Sequence, residues 1–388
     1  ASQNAASSEA ADGVEKYDLN DIVGRIGIEK SMELELQGEK GYTRMYVDNM
    51  GRPREIIEQQ DAQAGNDIYL TIDRDLQIAT YNLVEQQLAG IITKFLVNED
   101  IDPATIKDGS KKPIPVKNAY YQLINNNVLS LDAMAAENAS DIEKQIYRAY
   151  TASRDQILTN IRNELLSDHA SNMNDLPKDM ASYMNYIYSF LSSDSCGIVL
   201  PDKIDQNSAP YQSWKAGTIS LRNYIYSGIA ASWVDTTKLD STSKYSNADD
   251  IYIQLVDYII TRLQDDKSFT KRMFRYLIND NVIPGNWLCL ALFSQGVLKD
   301  DPQARAGLAM GDSAYTYNFI KSKISNLELT PAQLALDPCT AGCVVTDVRT
   351  GEIRALVSYP SYDNNRMSGS VDAAYFAKLQ SDMSNPLY

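Results

Sequence analysis

Between Val97 and Leu336, more than half of the 388-residue chain, apolar side chains recur at helical spacing and hardly ever alternate. A block of that length must bury its apolar stripes against one another, so it is expected to be all-α. Helices are expected over 118–134, 140–166, 175–194, 209–231, 248–265, 269–279, 285–298 and 314–326, with a final turn near 331–336. "DGSKKPIPVKN" and "LPDKIDQNSAP" read as loops. "KNAYYQLINNNVL" and "KRMFRYLINDNVI" resemble each other, a hint of a repeated helical unit, although one matched pair does not make a solenoid.

The flanks change period. Ile28, Met32 and Leu36, spaced by four, form one stripe on a short helix that Gly38 can end in the left-handed conformation. "YTRMYVD" alternates as a strand, Gly51 supplies a turn, and "RPREIIEQQ" returns with Pro53 near an edge. "DIYLTI" reads as a third short strand. Asp73 is placed to cap the next helix, whose apolar face is expected to run through Leu76, Thr80, Leu83, Leu88, Ile91 and Phe95. Strands return from Ala341, where "GCVVTD" and "EIRALVSYP" flank Gly351 as a hairpin. A lone hairpin is marginal in water, so the sheet begun at 342–358 is expected to need partners from a longer protein.

Composition narrows the function. A formal net charge of −15 argues against a nucleic-acid partner and against docking on anionic lipid. No apolar run is long enough to span a bilayer, no signal peptide is seen, and residues 1–16 read as a disordered leader. His169, the sole histidine, falls in a polar break and leaves little room for a histidine-based triad. Cys196, Cys289, Cys339 and Cys343 do not make a zinc site with one distant histidine; buried thiols or one disulfide remain open. Asp249-Asp250, Asp265-Asp266 and Asp300-Asp301 lack EF-hand spacing and read as helix caps and solvated charge. No metal and no cofactor is therefore expected. The tyrosines of the helical block read as packing groups with the hydroxyl at the surface, with stacking on sugar rings as the alternative.

Three segments carry a family resemblance. The first is Gly24, Gly27, Ile28, Glu29 and Lys30, followed by Leu36, Gly38 and Gly41. The second is Leu70-Thr71-Ile72-Asp73 with Leu76-Gln77, and the third is Asp347, Thr350-Gly351, Ala355 and Pro360-Ser361-Tyr362-Asp363-Asn364-Asn365. In this order they resemble the class B penicillin-binding proteins, membrane-anchored peptidoglycan D,D-transpeptidases; the final "NPLY" resembles the segment just ahead of that family's nucleophile. The resemblance covers about 20–95 and 337–388. It implies an α+β architecture, with a small β-rich pedestal and the start of a transpeptidase domain interrupted by the helical insertion. The expected divisions are a leader at 1–16, a dimerisation-type pedestal at 17–72, a first transpeptidase helix at 73–96, the insertion at 97–336, and a first hairpin and loop at 337–388.

The reaction of that family needs a Ser-x-x-Lys on a helix, a Ser-x-Asn, and a Lys-(Thr/Ser)-Gly on a strand. The family order puts these after the residues present here, so no catalytic residue is expected in the chain, which would be inactive and blind to β-lactams. Three strings imitate the motifs. Ser268-Phe269-Thr270-Lys271 lies in the helical block, where Ser268 reads as a helix cap. Ser241-Thr242-Ser243-Lys244 lies in a polar loop, and Lys215-Ala216-Gly217-Thr218 precedes both serines, opposite to the family order. The resemblance implies a parent, anchored by an N-terminal transmembrane helix on the extracytoplasmic side, that cross-links peptidoglycan stem peptides by serine acyl transfer. The alternative is a helical interaction module presented to division or elongation proteins, with no enzymatic activity. A glycan- or partner-binding role for the insertion fits either, because large loops on scaffolds often carry function.

Overall fold

The computed structural model describes residues 17, 21, 23–101, 108, 112–239, 248–363, 366–367 and 371–381. The expected leader, the Ser241–Lys244 string, Asn364, Asn365 and the terminal "NPLY" lie outside the described residues. The architecture is α+β. The N-terminal elements are α1 (Gly27–Ser31), α2 (Glu33–Leu36), β1 (Tyr42–Val47), β2 (Pro53–Gln60) and α3 (Arg74–Phe95). Then come β3 (Leu96–Val97), β4 (Ile114–Pro115), α4 (Val116–Asn125), α5 (Leu131–Ala135), α6 (Asp141–Leu166), α7 (Lys178–Leu191), α8 (Ala209–Ala216) and α9 (Leu221–Ala230). The remaining elements are α10 (Ala248–Asp265), α11 (Lys267–Asn279), α12 (Gly285–Ser294), α13 (Pro302–Ala309), α14 (Ser313–Ser325), α15 (Pro331–Leu334), β5 (Ala341–Thr346), β6 (Ile353–Tyr359) and α16 (Ala373–Ser381). Three two-stranded sheets form: β1 with β2, β3 with β4, and β5 with β6.

Two compact units emerge. The first takes in the described residues within Ala1–Thr80, Cys343–Val357 and Ser361–Phe376. Its antiparallel pair β1–β2 turns over Asp48, whose carboxylate accepts from the Met50 and Arg52 amides at 2.9 Å. The stripe Ile28, Met32, Leu36 does not ride one helix. The backbone breaks at Met32 (φ −114°, ψ 21°), giving α1 and α2, and the stripe is exposed, with Ile28 at 47%. Gly38 does take the left-handed conformation (φ 64°), and a side chain there would collide with the backbone carbonyl of Gln63. "DIYLTI" is not a strand: the segment 67–73 runs without strand pairing before α3. Asp73 caps α3 as expected, accepting from the Asp75 and Leu76 amides at 3.0 Å each.

The second unit takes in the described residues within Tyr81–Gly342, Ser358–Pro360 and Ala377–Tyr388. Its apolar core is one contiguous cluster running from Ala89 to Leu336. On α3 the buried side is Leu88, Ala89, Ile92 and Thr93, whereas Leu76 and Leu83 are exposed, Leu83 at 65%. Of the expected stripe Thr80 and Leu88 are buried and Ile91 and Phe95 half-buried, and Ala89, Ile92 and Thr93 complete the inward side. Two expected helices are each divided. The span 118–134 breaks at Asn127 (φ 57°) into α4 and α5, and 209–231 breaks at Gly217 (φ 70°) into α8 and α9. Helix α13 was not anticipated; Asp301 caps it, with Pro302 opening its first turn. Several tyrosine hydroxyls here are buried, unlike the surface position expected. Tyr252 donates to the Leu165 carbonyl and Tyr186 to the Asp266 carboxylate, while the buried hydroxyls of Tyr183 and Tyr224 have no partner.

Candidate functional site

Two of the three segments that carry the family resemblance, residues 70–77 and the strand through Ala355, meet in the first unit at the hairpin β5–β6. Gln77, on the second turn of α3, uses both ends of its side-chain amide on one residue: Nε2 donates to the Leu356 carbonyl at 2.6 Å and Oε1 accepts from the Leu356 amide at 2.7 Å. The side chain thereby stands in for a neighbouring strand. The Asp73 amide donates to the Arg354 carbonyl at 2.8 Å, and the Thr71 hydroxyl to the Ile353 carbonyl at 2.6 Å. These contacts hold backbone; none presents a nucleophile, base or oxyanion donor to a cleft.

The two motif imitations among the described residues do not assemble a serine acyl-transfer centre. Ser268 sits inside the first turn of α11 and is not its cap; Asp266 is, accepting from the Phe269 amide at 2.8 Å. Lys271 is spent on structure, its ammonium donating to the Asn125 carbonyl at the end of α4 at 2.8 Å. Burial, then the neighbouring Lys267 ammonium, holds the Lys271 pKa below the ordinary lysine value. Lys215 ends α8 and Gly217 is that helix's left-handed cap, so the Lys-Thr-Gly imitation lies on no strand. His169 is an exposed turn residue whose amide donates to Ser167 Oγ. All four cysteines are free thiols, Cys196 and Cys289 buried and Cys339 and Cys343 half-buried. Among the described residues no three His, Cys, Asp or Glu side chains converge as a metal site, and no helix is long and apolar enough to cross a membrane. Of the paired aspartates, Asp266 and Asp301 are helix caps, Asp249 accepts from the Tyr226 hydroxyl and Asp300 pairs with Arg305.

Two cavities open in the helical unit. The larger, about 390 Å³, is bordered by Ser130, Glu143 and Gln295. Its polar groups satisfy one another. Gln295 bridges the Ser130 amide and carbonyl (2.7 and 3.0 Å) and donates to Glu143 (2.9 Å), while Glu143 closes a capping box with Ser140. The smaller, about 340 Å³, lies among Tyr120, Asn281, Gly285, Asn286 and Ser313, with Glu99 and Asp100 also on its wall. Its side chains are largely paired, Asn98 with Ser313, Lys117 with Asp100 and the Asn286 side-chain amide with the Leu308 carbonyl. α12 begins after Pro284, which offers no side-chain cap, so the Gly285 and Asn286 amides are left open. Tyr120, 5% exposed, lies on the same wall. This cavity was not anticipated; the only signal was "IPGNW", a helix start with no capping side chain.

Residues 2–70 match the family described as the penicillin-binding protein dimerisation domain. The chain is similar to the peptidoglycan D,D-transpeptidase MrdA of Escherichia coli strain K12, with 39% identity over 89 residues, or 23% of this chain and 13% of that protein. MrdA of Salmonella typhimurium strain SL1344 is 35% identical over 112 residues, 28% of this chain and 17% of the relative. MrdA of Acinetobacter baumannii is 36% identical over 74 residues, 19% and 10%. The matches thus span less than a fifth of these relatives' length. No solved structure matches.

Proposed function

Through its N-terminal part the chain belongs to the class B penicillin-binding proteins, and from that premise we propose that it is a non-catalytic portion of a peptidoglycan D,D-transpeptidase. The observation that carries this reading is the match of residues 2–70 to the dimerisation domain, continued by identity to the MrdA transpeptidases. In this reading residues 17–72 are the pedestal, 73–96 and 337–388 begin the transpeptidase domain, and 97–336 is an insertion between them. The parent cross-links stem peptides by serine acyl transfer on the extracytoplasmic side, anchored by an N-terminal transmembrane helix. The pedestal and insertion face division or elongation proteins.

The non-catalytic assignment is supported by the engagement of Ser268, Lys271 and Lys215 in helix structure. The test is labelling with a fluorescent penicillin. This chain stays unlabelled, and a longer protein that carries it is acylated at one serine. Labelling of this chain overturns the non-catalytic assignment; failure of every longer form to label leaves a helical interaction module as the better reading. That second reading is favoured by one observation, the helical unit's own contiguous core.

A further inference from the structure

We propose that the face of α11 carrying Arg272 and Arg275 docks an acidic segment of a partner protein, whose carboxylates the two guanidiniums take. The chain as a whole is acidic, with a formal net charge of −15. α11 runs against that balance: its 13 residues, KSFTKRMFRYLIN, hold four cations and no carboxylate. Two of the four are committed within the fold. Lys267 pairs with Asp132 at 3.0 Å, and Lys271 donates to the Asn125 carbonyl at 2.8 Å. Arg272 and Arg275 pair with no carboxylate among the described residues.

Both guanidiniums are set in place before any partner arrives. Arg272 lies over the Tyr186 ring at 5.0 Å and donates from Nη1 to Ser182 Oγ at 2.9 Å, while Arg275 lies over the Tyr121 ring at 5.6 Å. A planar guanidinium held on a ring loses little freedom on meeting a carboxylate, which it can grip through two parallel donors. Standing three residues apart, the two are neighbours on the helix surface. The Tyr121 hydroxyl feels both: burial raises its pKa, and the Arg275 charge, then the Arg272 charge, work against that rise. Nothing in the fold answers this charge. Arg272 Nε is buried without a partner. Asp266 is occupied by the Phe269 amide and the Tyr186 hydroxyl. Asp179 and Asp280, whose charges reach the buried Tyr183 hydroxyl as that of Arg272 does, form an ion pair with neither arginine.

Charge and surface type select the occupant. A long polyanion is repelled by the acidic remainder of the chain, whereas a short segment with one or two carboxylates meets only this face. Arginine and tyrosine are also the side chains that most often anchor protein–protein contacts. Tyr121 from α4, Tyr186 from α7 and the two arginines of α11 supply four of them together. The surface gives chemistry to the partner-facing role proposed for residues 97–336 and does not rest on the transpeptidase reaction.

The 388-residue chain is titrated with an acetylated, amidated alanine hexapeptide carrying glutamate at its second and fifth positions, read by amide chemical shifts of Arg272 and Arg275. The glutamate peptide gives saturable shifts that weaken as salt rises, and the same peptide with glutamine in place of glutamate gives none. Arg275 is exposed, so Arg275→Gln leaves Tm unchanged while raising the peptide's Kd about fivefold, which is about 1 kcal/mol. Absence of saturation with the glutamate peptide overturns the surface, as do equal binding of the glutamine peptide or an unaffected Arg275→Gln. Inorganic phosphate binding as tightly as the peptide overturns it too, because the face is then a small-anion site. So does dimerisation of the chain that Arg275→Gln abolishes, which makes a second copy the occupant. Penicillin labelling of the longer protein is independent of these outcomes, so the docking surface can fail while the family reading stands.

Discussion

Glu143 shows how a single buried carboxylate can be held charged. Burial by itself raises its pKa, but the Ser140 hydroxyl, the Ser140 amide and the Gln295 amide all donate to it and together hold it below the ordinary glutamate value. A depressed folded-state pKa contributes stability that is fully present above the unfolded value, about 4.3, and is lost as pH falls through the folded value. Chemical denaturation between pH 7 and 3 is therefore expected to show a loss that Glu143→Gln removes. At neutral pH the same change costs about 1–2 kcal/mol through the weakened cap. An identical pH profile in wild type and variant counts against the assignment. Gln77 gives a second case at this scale. Gln77→Ala leaves the Leu356 amide and carbonyl to water, costing about 1 kcal/mol, and speeds exchange of the Leu356 amide. Gln77 was legible in the sequence only as half of a Leu-Gln motif, and Glu143 was not singled out at all. Ser140 and Glu143 have the local spacing of a capping box, but the 152 residues between Glu143 and Gln295 and the 279 between Gln77 and Leu356 are separations that no local pattern encodes.

At the scale of the element, the repeated letters of "LINNNVL" and "LINDNVI" turn out to mark a recurring helix stop, found in α4, α11, α12, α14 and also α9, where Ser232 at φ 59° is followed by a bond from the Val234 amide to the Gly228 carbonyl. In α4, Asn127 at φ 57° is followed by a bond from the Leu129 amide to the Leu123 carbonyl; in α11, Asn281 at φ 56° is followed by one from Ile283 to Leu277. α12 repeats it through Gly296 and Leu298, and α14 through Leu327 and Leu329. Each stop turns the chain left-handed and then drops a buried apolar residue into the core, with the Schellman bond itself formed at α9, α12 and α14. This explains why helix existence was legible and helix division was not. Apolar spacing continues across Asn127, because Val128 and Leu129 are buried after the break just as Leu123 and Ile124 are before it. Only the backbone cost of the left-handed residue reveals the stop. Asn127 is exposed, so it tests this cleanly. Asn127→Gly is expected to be neutral or slightly stabilising, and Asn127→Val to cost about 1–2 kcal/mol in urea denaturation. Equal stability of the two variants would mean the stop is set elsewhere.

At the scale of the whole molecule, the two units differ in how much they bury. The helical unit closes one cluster from Ala89 to Leu336, with Phe274 fully buried and stacked on Tyr150 at 5.0 Å. In the first unit, only Thr80, Ala355 and Val357 are buried among the described residues, and both strands of β1–β2 are exposed along their length. So little burial cannot offset the entropy of ordering the chain by a wide margin. Native-state hydrogen exchange is therefore expected to resolve two levels: amides of Tyr42–Val47 exchange through low-energy local opening, whereas those of Leu123 and Ile146 exchange only when the helical core opens. Phe274→Ala separates the levels further. It removes a buried ring, costing about 3–5 kcal/mol, and should lower the opening free energy at Leu123 and Ile146 by that amount while leaving Tyr42–Val47 unmoved. A single opening free energy across both sets, shifted together by the variant, would show that the chain unfolds as one cooperative body. The helical block would then be a structural prerequisite of the pedestal and not an insertion carried by it.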